Sequence, residues 1–231
     1  MTAVDDLLVV VPAHDEEEQL DQCLTSFRRA VGALGPEGPR VHLVVVLDDC
    51  RDDSEAIARR HDVEVVSCAV RNVGVGRAVG VAVGRRHVTD PDRAWVATTD
   101  ADSRVPTTWL LDHLRAAEAY DLLVGPVLPD PSGLHPSVLR EWQRRHTRAG
   151  HHVHGANLGV RLASYDAAGG FPPLATGEDV ALVHRARRQG ARVTGAARPV
   201  VTAPRQQGRA PGGFAAYLAA LALEVLPGSA T

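Results

Sequence analysis

Apolar residues along the first hundred positions fall into short runs that alternate with polar stretches. The runs occupy positions 7–11, 41–47, 63–66 and 94–99, and valine is their commonest residue. Such runs are typical of strands that are buried on both faces of a sheet. Between them, apolar residues recur at helical spacing, and the acidic stretch at 14–18 is expected to open the first helix. This alternation predicts an α/β fold with a doubly wound, mostly parallel central sheet.

The pattern changes after residue 102. Helices are predicted after Pro106, around residues 140–144 and from 178 to about 190, with a strand at 122–124. Positions 129–136 are rich in Pro, Ser and Gly and predict a loop. The apolar segment at 214–226 is too short to span a bilayer. It predicts a packed helix, with contact to a membrane surface or to a partner protein as alternatives.

Composition narrows the class of protein. Apolar residues make up 45% of the 231, as in an ordinary globular chain. The formal charge of −3 argues against a nucleic-acid binder, which needs a basic face. The three cysteines have neither metal-ligand nor disulfide-framework spacing, and no export signal is evident. We therefore expect a cytoplasmic protein.

Two carboxylates, Asp100 and Asp102, directly follow the fourth predicted strand. In open α/β sheets, ligands bind beyond the carboxyl ends of the strands. Residues i and i+2 of an extended segment can turn to the same side, so the pair could hold Mg²⁺ or Mn²⁺ through hard oxygen ligands. A solvated turn is the alternative, because Asp and Ser both favour turns.

The other predicted strands are also followed by polar signals. The segment after the third strand joins Asn72, two glycines and Arg77, and such loops let backbone and Arg approach a phosphate. Its spacing does not match the dinucleotide-binding fingerprint, which makes an NAD site a weak interpretation. Glu178 and Asp179 begin a later helix, where simple helix capping is the alternative to a chemical role.

Taken together, these motifs resemble family 2 glycosyltransferases of the GT-A fold. The resemblance runs in the family's order from about residue 9 to residue 190. It implies one continuous domain, with a nucleotide-sugar-binding half at 1–104 and an acceptor-binding, catalytic-base half at 105–231. The motifs that carry it are Val11-Pro12-Ala13-His14-Asp15-Glu16, Asp48-Asp49, Asn72-Val73-Gly74 with Arg77, Asp100-Ala101-Asp102, Gly155-Ala156-Asn157, Gly169-Gly170-Phe171 and Glu178-Asp179.

The resemblance implies a UDP- or GDP-linked sugar as donor. Asp49 would accept a hydrogen bond from the base N–H, and Arg77 would face the phosphates. The residues implied to line the base and ribose, or otherwise to belong to the donor site, are Pro12, Ala13, Asp15, Glu16, Asn72 and Asp100. The chain departs from the usual family residues at His14 or Asp15 and at Cys50-Arg51, and either change would retune base recognition. Arg205 or Arg209, in the segment 202–209, would touch phosphate if that segment folds over the donor, although a solvated loop is the simpler expectation.

The resemblance also implies a divalent cation and a general base. Asp102, with Asp100 beside it, would hold Mg²⁺ or Mn²⁺ against the diphosphate. His154 is the first candidate for a third ligand. Asp179 would be the base of an inverting transfer, and Glu178 would orient Asp179 or the acceptor. The remaining candidates for the third ligand are His151, His152 and His184.

Other classes of protein fit less well. A haloacid-dehalogenase-like phosphatase would carry its aspartate pair after the first strand and use a lysine, and this chain has no lysine. A nucleotidyltransferase would carry a Gly-rich basic signature after the first strand. A non-catalytic nucleotide-sugar-binding module would need Asp49 and Asp102 but not Asp179. The acceptor stays open between a small molecule, a glycan and a lipid-linked sugar, and the oligomeric state is open as well.

Overall fold

A computed structural model describes residues 3–148, 153–196, 198–204 and 214–226 of the chain. Its main sheet has seven strands in the order β3-β2-β1-β4-β8-β6-β9. Neighbouring strands pair in parallel except β8, which is antiparallel to both β4 and β6. These strands are β1 (Asp6–Ala13), β2 (Arg40–Asp48), β3 (Glu64–Cys68), β4 (Ala94–Thr98), β6 (Leu122–Val124), β8 (Leu158–Arg161) and β9 (Val193–Gly195).

Helices cover both faces of this sheet. On one face, α1, α2 and α4 enclose one apolar cluster, and on the other face α3, α6 and α7 enclose a second. The predicted doubly wound, mostly parallel α/β fold is therefore confirmed. The helices are α1 (Leu20–Gly32), α2 (Ser54–Ala58), α3 (Val73–Gly84), α4 (Trp109–Ala117), α5 (Pro136–Arg148), α6 (Leu162–Ala167), α7 (Glu178–Arg188) and α8 (Phe214–Val225).

The central strand β1 shows why the apolar runs are continuous. Leu7, Val9 and Val11 belong to one cluster, whereas Leu8 and Val10 belong to the other, and all five are fully buried. Each run therefore contributes to both cores in alternation. The strand pairs with β2 on one side and β4 on the other, so the carboxyl ends of all three strands meet at one edge of the sheet.

Helix α3 lies unusually close to the sheet. A Cβ atom on Gly80 would collide with Val10 and would lie 2.9 Å from Cγ2 of Val46. Only glycine allows this approach of helix and strand. The close packing places the N-terminal turn of α3, with Asn72 and Arg77, against the edge where β1, β2 and β4 end.

A second, three-stranded sheet lies beside the main one, in the order β5-β10-β7. It consists of β5 (Ser103–Arg104), β7 (Val127–Pro129) and β10 (Val200–Thr202). Helices α5 and α8 pack together through Val138, Trp142, Leu218 and Leu221, which confirms that the late apolar segment is a packed helix. Within the described ranges, no helix has the length and apolar character needed to cross a bilayer.

The structure corrects two local predictions. The first helix starts at Leu20 rather than at the acidic stretch, because the backbone N–H groups of Glu16 and Glu17 donate to side chains that follow β2, Ser54 Oγ at the start of α2 and Asp52 Oδ2 just before it. The predicted loop at 129–136 contains the end of β7, a 3-10 turn at Pro131–Gly133 and the start of α5. The two halves expected at 1–104 and 105–231 share the main sheet, because β4 of the first half pairs with β8 of the second.

One buried polar contact makes stability depend on pH. Trp95 Nε1 donates to His113 Nδ1 at 3.0 Å, so the His113 proton lies on Nε2. Burial lowers the pKa of His113 from 6.5 to about 3. Because the unfolded chain binds this proton more readily, acid favours unfolding.

We expect wild-type stability to fall by up to about 1.4 kcal/mol per pH unit on this account as pH drops from about 6.5 towards 3. His113→Gln removes that proton, so its unfolding free energy should vary less steeply over the same range. Urea titrations between pH 7 and pH 4 measure both slopes, with the exposed His184→Gln as control. Equal slopes for His113→Gln and wild type would contradict the assignment.

Candidate active site at the carboxyl ends of the strands

The side chains singled out from the sequence gather at one edge of the main sheet. Asp15 follows β1, Asp49 follows β2, and Asp100 follows β4. The N-terminal turns of α3 and α7 approach the same edge, the latter bringing Asp179. Residues between positions 15 and 179 therefore contribute to one acidic site.

Asp48 holds the loop that leads into α3. Its carboxylate accepts hydrogen bonds from the backbone N–H groups of Val70, Arg71 and Asn72 at 2.7–2.8 Å. Burial acts to raise the pKa of Asp48, but these three donors outweigh it and lower the pKa. Asp48 is thus a structural anion that fixes the position of Arg71 and Asn72.

Asn72 caps α3 rather than pointing to a ligand. Its Oδ1 accepts from the Val75 N–H at 3.1 Å, and its Nδ2 donates to the Pro173 carbonyl at 3.2 Å. Both polar ends of the side chain are therefore engaged within the protein. The expectation that Asn72 contacts the donor is corrected to a capping role, which Asn commonly performs at a helix N-terminus.

Asp49 lies at the rim of the site between two arginines. Its backbone has a positive φ of 53°, and its Oδ2 is 2.7 Å from Arg71 Nε and 3.6 Å from Arg51 Nη2. Its role toward the base stays a prediction. The structure adds Arg71 to the candidate donor-binding residues, and its place directly before Asn72 in the family-like motif was the sequence signal for it.

The residues after β1 divide into buried and accessible ones. Ala13 and Glu16 are almost fully buried, whereas Pro12 and Asp15 are partly exposed. Asp15 has a φ of 52°, and its Oδ1 accepts the Arg51 N–H at 2.6 Å. Of the four, only Pro12 and Asp15 present appreciable side-chain surface to a donor.

The same loops contain a group of three side chains with metal-ligand chemistry. Asp15, Cys50 and Asp52 have potential ligand atoms within 4.8 Å of one another, and no other such trio occurs among the described residues. Their carboxylates already accept backbone hydrogen bonds from Arg51, Glu17 and Ser54. We assign no metal to this group.

Asp100 and Asp102 point to different partners. The Asp100 carboxylate pairs with Arg77, and Asp102 Oδ1 accepts from Thr202 Oγ1 at 3.1 Å. The predicted third ligand, His154, does not form a three-residue metal-ligand group with them. Two carboxylates fit a divalent cation that takes its other ligands from a diphosphate and water, as Mg²⁺ commonly does. The donor set is consistent with a metal, and His154 as a third ligand stays a prediction.

Arg77 does not face an open phosphate site as expected. Its side chain is 3% exposed and pairs with both Asp100 and Glu178, and its guanidinium lies 5.9 Å from the centre of the Phe171 ring. Burial acts to lower the pKa of Arg77, but the negative charges of Asp100, Glu178 and Asp179 outweigh it and raise the pKa. Arg77 is a buried cation committed to carboxylates of the protein.

Glu178 and Asp179 follow each other in sequence but have different surroundings. Glu178 is buried against Arg77, and its pKa is raised by burial, with Asp179 adding to the rise and Arg77 opposing it. Asp179 is partly exposed, and its Oδ2 accepts the Gly155 N–H at 2.6 Å. Gly155 therefore orients Asp179. The expectation that Glu178 orients Asp179 directly or meets the acceptor is corrected, because its carboxylate is turned towards Arg77.

Of the remaining histidine and arginine candidates, the structure describes only His184. His184 is exposed, five residues beyond Asp179 on α7. His151, His152, Arg205 and Arg209 lie outside the described residues.

The model of the family described as Glycosyl transferase family 2 matches residues 8–165. The chain belongs to this family. The match spans the strands β1 to β8 and the site residues up to Gly155. A search among curated protein sequences gives no match.

Solved structures share the fold at low identity. TarS 1-349 of S. aureus, in complex with UDP-GlcNAc, has a TM-score of 0.65 and 16% identity, over 98% of this chain and 68% of that one. The mannosyltransferase PcManGT of Pyrobaculum calidifontis, in complex with GDP-Man and Mn²⁺, has a TM-score of 0.62 and 18% identity, over 96% and 70%. A longer TarS chain is covered over 43% of its length.

A third neighbour is glucosyl-3-phosphoglycerate synthase of Mycobacterium tuberculosis, in complex with Mn²⁺, UDP and glucosyl-3-phosphoglycerate. It has a TM-score of 0.58 and 17% identity, over 96% of this chain and 80% of that one. At such identities the likeness shows the GT-A fold alone.

The hydrogen bonds to Asp48 generate a stability prediction. Asp48→Asn replaces one acceptor oxygen by an N–H₂ group that faces backbone donors. We expect a loss of about 1–3 kcal/mol, as for buried donors that lose their partner. Chemical denaturation at pH 7 measures the loss, with the exposed Asp62→Asn as control.

The same variant has a defined pH dependence. The pKa of Asp48 is lowered in the folded state, so its stabilisation is present above the unfolded pKa and is lost as pH falls through the folded one. The difference in unfolding free energy between wild type and Asp48→Asn should therefore become smaller as the pH falls. Equal unfolding free energies at pH 7, or a difference that grows as the pH falls, would contradict this account.

Proposed function

We propose that this chain is a metal-dependent inverting glycosyltransferase, which moves a sugar from a UDP- or GDP-linked donor to an acceptor hydroxyl. One observation carries the proposal. Asp100 and Glu178 share the guanidinium of Arg77. Asp179 directly follows Glu178, and its carboxylate accepts the Gly155 N–H. A candidate base and a candidate donor-side carboxylate are thus brought together from distant parts of the sequence.

The donor would lie across the carboxyl ends of β1, β2 and β4. Asp49, with Arg71 beside it, supplies an acceptor and a cation for the base, and Asp15 lies within reach of the same loops. The TarS and PcManGT complexes carry UDP-GlcNAc and GDP-Man on the same fold, which supports a nucleotide sugar as donor.

Asp102, with Asp100 beside it, would hold Mg²⁺ or Mn²⁺. When bound, such an ion neutralises charge on the diphosphate and makes it a better leaving group. Two contacts with β10 and the residue after it hold Asp102 in place and support this role: Thr202 donates to its carboxylate, and the Ala203 N–H donates to its carbonyl at 3.0 Å.

Asp179 would act as the general base. As the acceptor oxygen attacks the anomeric carbon, its proton passes to the Asp179 carboxylate. The bond between that carbon and the diphosphate oxygen breaks, and the nucleoside diphosphate leaves. A single displacement of this kind inverts the anomeric configuration. The Gly155 N–H holds the carboxylate in place for the proton transfer.

The acceptor is a hydroxyl of a small molecule, a glycan or a lipid-linked sugar. The cytoplasmic location and the absence of nucleic-acid partners stay predictions from the sequence.

A donor screen with matched variants tests this function. UDP- and GDP-sugars are assayed with Mn²⁺ for hydrolysis and for transfer by wild type, Asp102→Asn and Asp179→Asn. Asp179→Asn should lower kcat by about 10²–10⁴-fold, the usual contribution of a general base, while donor binding persists. Asp102→Asn should weaken Mn²⁺-dependent donor binding. His184→Gln, on the same helix as Asp179, is the control.

Two results would count against the proposal. If both aspartate variants turned over as fast as wild type, Asp102 would not be the metal ligand and Asp179 would not be the base. A wild-type protein that binds a nucleotide sugar but turns over with no acceptor would instead be a nucleotide-sugar-binding module.

A further inference from the structure

The buried cation Arg77 lies at the centre of the site without facing solvent. It belongs to the N-terminal part of α3, and its two partners are 23 and 101 residues away in sequence. A buried guanidinium is retained only with close acceptors, because desolvating a charge is costly. The guanidinium is planar and its N–H donors have fixed directions, so a single arginine can bind two carboxylates at once.

The two partners belong to opposite sides of the site. Asp100 follows β4 and is still 40% exposed at its side chain, on the side proposed for the donor. Glu178 is the first residue of α7 and is 4% exposed at its side chain. The guanidinium therefore joins the end of a central strand to the start of the helix that carries Asp179.

A third contact connects Arg77 to the proposed base. A Cβ atom on Gly155 would collide with the guanidinium and lie 2.5 Å from Nη2, so Arg77 packs directly on the Gly155 backbone. The N–H of Gly155 donates to Asp179, and its carbonyl accepts from Thr98 Oγ1 at 2.6 Å. Gly155 thus contacts β4, Arg77 and Asp179 at the same time.

We propose that Arg77 is a positioning residue, whose buried guanidinium fixes the Asp179 carboxylate relative to Asp100 through Glu178 and the Gly155 backbone. Arg77 touches neither donor nor acceptor in this assignment. The inference rests on the proposed function insofar as it takes Asp179 as the base. The geometric link among Arg77, Gly155 and Asp179 is independent of that function.

A purely structural ion pair elsewhere in the chain provides the matched control. The Asp6 carboxylate is 2% exposed and pairs with Arg40 and His42. It lies at the amino end of β1, opposite the site edge. Asp6→Asn should lower Tm without changing kcat.

Two variants displace the guanidinium in different ways. Arg77→Lys keeps the charge but replaces the fork by one ammonium group, which cannot serve both carboxylates in the same geometry. Gly155→Ala changes no charge and places a Cβ atom where the Arg77 guanidinium lies, so the contact between the two residues cannot keep its geometry. The second variant keeps the test valid if the first does not fold.

We expect each variant to lower kcat by about 10²-fold, as small misplacements of catalytic groups do, with a much smaller change in donor Kd. The double variant should be no slower than either single one, because both act through one contact. Variants that lose Tm as Asp6→Asn does but keep the wild-type kcat would overturn the proposal. Losses that multiply in the double variant would overturn it too.

The Gly155 amide gives a readout that does not depend on activity. Its ¹H–¹⁵N signal and its hydrogen-exchange rate report the bond to Asp179. Arg77→Lys should shift this signal and speed its exchange, whereas Asp6→Asn should leave both unchanged. If the wild type transfers no sugar, the proposed function fails, and the amide measurement still decides the link. An unshifted Gly155 amide in Arg77→Lys would reject it.

Discussion

The burial of β1 on both faces is the constraint from which the architecture follows. Alternate side chains of the strand enter two separate apolar clusters, so helices must cover both sides of the sheet. Parallel pairing with β2 and β4 then brings three carboxyl ends to one edge. Loops with polar residues begin there, because the chain leaves its apolar environment at that edge. The site is a consequence of the core.

The same edge concentrates negative charge, and these carboxylates have backbone N–H groups or arginines beside them. Asp48 accepts hydrogen bonds from backbone N–H groups, and Asp49 pairs with arginines at the rim. Asp100 and Glu178 both pair with Arg77. These partners offset part of the repulsion between neighbouring carboxylates. The partially exposed acids at this edge can then meet a ligand while the buried ones maintain the geometry around them.

The sequence predicted the long strands well, because burial on two faces leaves unbroken apolar runs. The short strand β6 was predicted, but β5, β8 and β10 were missed, since two to four residues show no periodicity. Arg77 was misassigned for a related reason. An arginine beside glycines at a helix start resembles a phosphate site, and its true partner Glu178 is 101 residues away. The pairing of the two residues is tertiary, whereas the capping role of Asn72 was readable from its position alone.

The contacts that complete the site span large distances along the chain. Thr202 reaches Asp102 across 100 residues, and Trp109 Nε1 donates to Asn157 across 48. The first βαβ units, by contrast, pair strands that are close in sequence. Long-range contacts require large loops to close and form slowly. We therefore expect the pairing of β1 with β2 and of β2 with β3 to form before the contact between Thr202 and Asp102. A chain that ends before residue 202 would lack the hydroxyl that donates to the Asp102 carboxylate.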